Sequence, residues 1–153
     1  MPDAPPWKLS AIHYPQGAWN LGALIGANAL VFEGKPSLQL HVGDQQVIAD
    51  FIMSIAFSER EGADVVADVS VRVVAQYTTT LTREELRAQG HHRAIGEHAV
   101  DRLPGLALAE VMRVMTSAGV TTPIDLPINV FGSVFSFDDA STEELPPGEA
   151  TNP

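Results

Sequence analysis

Two runs of alternating residues on either side of one glycine constrain this chain more than any other feature. Ala49 to Ser58 places Phe51, Met53, Ile55 and Phe57 at every second position. Ala63 to Thr80 repeats the pattern with Val65, Ala67, Val69, Val71 and Val73, against Val66, Asp68, Ser70 and Arg72 on the other face. A period of two sustained this long belongs to strands that bury one face. Between them, Glu59-Arg60-Glu61-Gly62 supplies a turn in which Gly62 offers a positive φ. The two runs are therefore expected to form an antiparallel hairpin. From Val73 the alternation gives way to Val73-Val74-Ala75, which predicts a bulge or a change of burial.

The rest of the chain adds strands before the hairpin and helices after it. Trp7 to Tyr14 and Pro36 to Val42 alternate as half-buried strands. Between them Ala18 to Ala29 carries Gly22 and Gly26 within an apolar stretch, and is expected to be an irregular crossing loop. Thr82 followed by Glu85 is a capping pattern that predicts a short surface helix. Gly90-His91-His92-Arg93 and the residues after it read as loop. A helix is expected from Pro104 and Gly105 through Leu106 to Met115, closed by Ser117 and Gly119. Glu110 and Arg113, three apart, share one face of it. A helix apolar over most of its circumference needs cover on more than one side, as a helix trapped between subunits has. Thr122 to Pro127 is a proline-bracketed extended run, and Ile128 to Phe135 a short aromatic helix. Strands followed by helices give an α+β fold: a four-stranded antiparallel sheet with a long buried helix and a short C-terminal helix. Residues 1–6 are expected to be a disordered start, 7–137 the folded domain and 138–153 an acidic flexible tail.

Charge and composition narrow the function. The net charge is −10, and Asp138, Asp139, Glu143, Glu144 and Glu149 supply part of it with no Lys or Arg after Arg113. Binding phosphates requires Lys and Arg, so nucleic acid is not an expected partner. No window approaches a membrane span and the first residues lack a signal peptide's basic start and apolar core, so no membrane insertion is expected. Without a single cysteine the chain has no disulfide, thiol nucleophile or thiolate metal site, which suits a reducing, cytoplasmic compartment.

Candidate chemistry is sparse. His91, His92 and His98 with Glu97 are a possible metal-ligating group, but their spacing fits no paired helical motif and Gly90 and Gly96 loosen the segment, so no metal is expected. Ser54, Ser70, Ser117 and Ser133 lack a neighbouring histidine, and no Gly-x-Ser-x-Gly elbow or phosphate-cradling glycine loop is present. Neither catalysis nor a cofactor is expected. The surplus is apolar: Trp19, Leu21, Leu24, Ile25, Val31, Phe32, Phe131, Phe135 and Phe137 lie outside the main strands and the long helix. Large adaptable side chains without fixed polar geometry suit a groove for unstructured apolar segments, although the same residues can simply pack a core.

The order of buried helix, small-residue turn, Pro-bracketed run and short aromatic helix over residues 103–137 resembles SecB-type export chaperones. The nearest element is Leu126-Pro127-Ile128-Asn129-Val130-Phe131, which is similar to that family's Pro-Val-Asn-Phe segment. The resemblance implies an ATP-independent holdase, a homotetramer built as a dimer of dimers, that binds unfolded or precursor polypeptides in apolar grooves. Residue by residue, it implies client contacts at Trp19, Leu24, Phe131 and Phe135, and an oligomer interface on the helix through Leu108, Val111, Met112 and Met115. It also implies docking to the SecA ATPase through Val66 and Asp68. That patch departs from the family at Tyr14-Pro15-Gln16-Gly17, where an acidic residue after the tyrosine is missing. Two alternatives remain: a small-molecule-binding or enzymatic α+β domain, and a SecB-like protein with one dedicated partner in a phage or toxin–antitoxin system.

Overall fold

The computed structural model describes residues 3–15, 17–22, 31–120 and 141–144. They form one α+β layer pair, a twisted sheet with a long helix on one face. The strands are β1 (Trp7–His13), β2 (Ala18–Asn20), β3 (Val31–Gly43), β4 (Gln46–Ser58), β5 (Val65–Thr79) and β6 (Ser141–Glu144). The helices are α1 (Arg83–Ala88) and α2 (His91–Ser117), between β5 and β6 in sequence. The sheet runs β1-β5-β4-β3-β6, with β2 also on β5, and all pairings are antiparallel except β3 with β6.

The hairpin expected around Gly62 is present, with Gly62 at φ 77. Its register is continuous from Gln46↔Thr78 to Phe57↔Ala67, and a bulge then sets Ser58 opposite Val65. The irregularity read at Val73 is a change of burial: Val74 is buried on the opposite face, beside Ile48. β3 and β4 pair along their whole length around a two-residue turn, Asp44-Gln45. Gln45 is held at φ 62. Its N–H donates to the Leu81 carbonyl at 2.9 Å, and its carbonyl accepts from the Thr79 N–H at 3.1 Å.

Three expectations need correction. The sheet has six strands rather than four, because Ala18–Asn20 is not loop but pairs with Ser70–Asp68 on β5. β5 is longer than β1, which covers only Val74–Thr79, so part of its edge is left for the next segment. Gly17 permits that approach, since a β-carbon there would strike the Ser70 carbonyl oxygen. Second, Ser141–Glu144, expected within a flexible tail, is a strand parallel to Gln39–Val42. Third, the long helix starts at His91, thirteen residues before Pro104, which it contains.

That helix forms because its buried residues recur at four-residue spacing. Ile95, Ala99, Leu103, Ala107 and Val111, then Val114 and Met115, make one stripe against the sheet. Burying the stripe outweighs Pro104, whose missing N–H removes one ladder bond at a cost of about 3 kcal/mol. Gly90 at φ 71 ends α1 and redirects the chain into α2. α1 itself carries the predicted capping box between Thr82 and Glu85. At the far end Gly119 takes φ 82. The Val120 N–H there donates to the Met115 carbonyl and the Gly119 N–H to that of Thr116, the paired bonds of a Schellman ending. Within the protomer the helix is covered along this one stripe, while Met112 on its other side is 41% exposed. The expected extended run at 122–127 and aromatic helix at 128–135 lie outside the described residues.

Candidate functional site

Pairing rows define the two faces of the sheet. On the helix side, Phe51, Met53, Ile55 and Phe57 of β4 meet Val73, Val71, Val69 and Ala67 of β5, all buried. On the other side the rows are polar: Glu33-Ala56-Asp68, Lys35-Ser54-Ser70 and Ser37-Ile52-Arg72. Arg72 holds Asp50 through two parallel bonds, Nε–Oδ1 at 2.8 Å and Nη2–Oδ2 at 2.5 Å. The Ser54 and Ser70 hydroxyls lie 3.2 Å apart, close enough to share a hydrogen bond.

At the end of the sheet that carries the β4–β5 turn, two large apolar residues are exposed. Val31 and Val65 flank Ser58 from the two neighbouring strands, 43% and 56% exposed. Elsewhere, Trp19, on β2 opposite Val69 and so on the helix side, is 48% exposed, and Tyr14, which follows β1, is 47% exposed. Phe32, on the helix side, tilts against Phe57 with ring centroids 6.5 Å apart. A cleft of about 430 Å³ opens beside the β4–β5 turn, where Val31, Phe32 and Val65 share the lining with the charged residues Glu33, Arg60 and Glu61. A lining of this kind can receive apolar side chains against Val31 and Val65 and offers charged groups beside them.

The sequence-predicted residues divide accordingly. Trp19 is exposed but lies on the helix side of the sheet, outside this cleft; Leu24, Phe131 and Phe135 lie outside the described residues. Val66 is half-buried and Asp68 exposed on β5. A second cleft, about 260 Å³, runs past Asp68 between Glu33, Lys35, Ser54 and Ser70. Among the four helix residues, Val111 and Met115 are buried inside the protomer, Leu108 is half-buried and Met112 is exposed. Leu21, read as a groove residue, is 3% exposed and belongs to the core. Sequence reasoning passes over Tyr14 and assigns Val65 to the core face. The bulge at Ser58 moves Val65 off that alternation, and no residue type announces such a bulge.

The histidines lie on α2 rather than in a loop, and no three metal donors converge among the described residues. His98 instead packs edge-on against Trp7 and Tyr77, at 5.5 Å from each ring. Its Nδ1 lies 2.9 Å from the Tyr77 hydroxyl. Burial pushes the Tyr77 phenol up to about 12, so it keeps its proton through neutral pH. Burial, then the nearby Arg102 charge, lower His98 below the usual imidazole value, so a neutral ring accepts the phenol's hydrogen. This cluster fastens β1 and α2 to β5.

No helix among the described residues is long and apolar enough to cross a membrane. The sequence matches no protein-family model, and no curated protein is similar to it at a significant level. Among solved structures the chain is similar to the Mycobacterium tuberculosis SecB-like chaperone Rv1957, determined in complex with a ChAD peptide from the Rv1956 HigA1 antitoxin. The two are 12% identical over 76% of this chain and 85% of that one, with a TM-score of 0.48.

Proposed function

We propose that the protein is a nucleotide-independent holding chaperone of SecB type, without enzymatic activity, that keeps unfolded or precursor polypeptides soluble in the cytoplasm. One observation carries this reading: Val31 and Val65, which line an open cleft, and Trp19 on the helix side of the sheet stay exposed, where an isolated soluble domain would gain by replacing them. The motif similarity at Leu126–Phe131 supports it from the sequence side, and by that similarity Leu24, Phe131 and Phe135 extend the binding surface. Binding through many such contacts, at about 25 cal/mol per Å² of apolar area buried, gives affinity without selecting one sequence. The exposed Met112 and half-buried Leu108 would form the contact between protomers of a tetramer. Delivery for export would use Asp68 and Val66 on the polar face.

The test is suppression of aggregation. A chemically unfolded, unrelated protein is diluted without nucleotide into buffer containing this protein. Suppression that saturates at a fixed client-to-tetramer ratio, and falls several-fold for Trp19→Asp, supports a holdase. Protection of no unrelated protein would reject it and leave a dedicated partner as the remaining reading. Asp68→Lys should leave suppression unchanged; equal loss in both variants would show that client and docking surfaces are one.

A further inference from the structure

The edge of β3 is protected over one half and unprotected over the other. In its first half Glu33, Lys35 and Pro36 do what edge residues commonly do: two charges and a residue without an N–H discourage pairing with a foreign strand. From Ser37 to Val42 there is neither Pro nor a Lys, Arg, Asp or Glu, and Leu38, Leu40 and Val42 are fully buried beside that edge. A strand seated there would lie next to an apolar row. β6 occupies this half, with Gln39 opposite Ser141 and Val42 opposite Glu144. No other strand among the described residues pairs with β3 on that side.

β6 is a poor strand for the place it holds. It is four residues long, reads Ser-Thr-Glu-Glu, and pairs in the parallel sense. Glutamate is disfavoured in strands, and parallel pairing is the weaker kind per residue. A segment with β-branched or aromatic residues at alternate positions would make the same backbone bonds and add packing beside Leu40 and Val42. Unfolded polypeptides supply such segments.

We propose that Ser37–Val42 is a strand-addition site for an extended apolar segment of a bound polypeptide, with the chain's own Ser141–Glu144 as its intramolecular competitor. The proposal rests on the polypeptide-binding reading above and adds to it a second contact mode and a means of regulating it. Apparent affinity is reduced by the fraction of time the edge is occupied, so releasing β6 tightens binding and fixing it in place weakens binding.

Because the chain has no cysteine, Gln39→Cys with Ser141→Cys places one specific pair at a register position within disulfide reach. Full-length protein with this pair is compared with Thr142→Pro/Glu143→Pro, which removes the one ladder N–H that two consecutive residues offer to β3 and leaves the core untouched. The probe is a reduced, carboxymethylated and therefore permanently unfolded protein, with binding read by fluorescence anisotropy. We expect the oxidised pair to bind at least about threefold more weakly than wild type and to recover with dithiothreitol. The proline variant should bind at least about threefold more tightly. Wild-type affinity in both the oxidised and the proline variants would overturn the competitor while leaving the chaperone reading intact. Failure of the pair to crosslink under mild oxidation would overturn the pairing itself. Absence of binding in wild type and proline variant alike would reject the chaperone reading and this site together.

Discussion

Gln45 occupies the left-handed region at φ 62, where a side chain costs about 1–2 kcal/mol relative to glycine. Two backbone bonds to the segment after β5 hold it there, so the turn is fixed by its tertiary partners rather than by its own residue. Gln45→Gly relieves the backbone but loosens the unfolded chain, and should raise the unfolding free energy by about 0.5–1 kcal/mol in denaturant titration. A loss of stability would mean that the Gln45 side chain supports the turn. His98 supplies a pH dependence whose sign is set by its lowered folded value. The unfolded imidazole takes up its proton first, so stability from this group is complete above the ordinary histidine pKa and declines as pH falls through the lowered one. His98→Gln, which cannot titrate, should flatten that part of the stability–pH curve below the ordinary histidine pKa of about 6.5. A curve parallel to wild type across this window would place the dependence elsewhere.

At the scale of elements, what was legible in the sequence was whatever a period of two could reveal. β4 and β5 and their hairpin are readable because every second residue is large, apolar and buried, and α1 because Thr82 and Glu85 satisfy two backbone donors by side-chain chemistry alone. The first half of α2 is hidden, since its inward stripe uses Gly96 and Ala99, and Pro104 interrupts it with the strongest local stop signal. β2 and β6 are hidden for a different reason: three or four residues show no period, and their places are decided by edges left open on β5 and β3. Of the candidate site, Trp19 is legible from its type and loop context, whereas Val65 depends on a bulge. The helix also separates two methionines that look equivalent in sequence. Met115 is 3% exposed and Met112 41% exposed, so Met115→Glu should unfold the protomer by burying an unpaired charge. Met112→Glu should change protomer stability by less than about 0.5 kcal/mol. If α2 is the oligomer contact, Met112→Glu lowers the native mass at unchanged circular dichroism; a mass equal to wild type would place the contact on another surface.

For the whole molecule, a net charge of −10 surrounds the exposed apolar residues Trp19, Val31 and Val65, and the proposed client binding would draw on both. These two properties act at different distances and therefore on different rate constants. Long-range attraction steers a basic unfolded chain toward the protein, and it fades as the screening length shrinks from about 30 Å at 0.01 M salt to about 8 Å at 0.15 M. Apolar contacts act only once the chain has arrived, and modest salt leaves them nearly unchanged. Raising salt over this range should slow association of a basic client severalfold, leave that of a neutral client within about twofold, and change dissociation of both by less than about twofold. Stopped-flow mixing with one client of each kind reads all four rate constants. A dissociation rate that climbs with salt for the basic client alone would show that ion pairs hold the complex together. The bound segment would then be held by the carboxylates Glu33 and Asp68 as much as by Val31 and Val65, which lie beside them on the same face of the sheet.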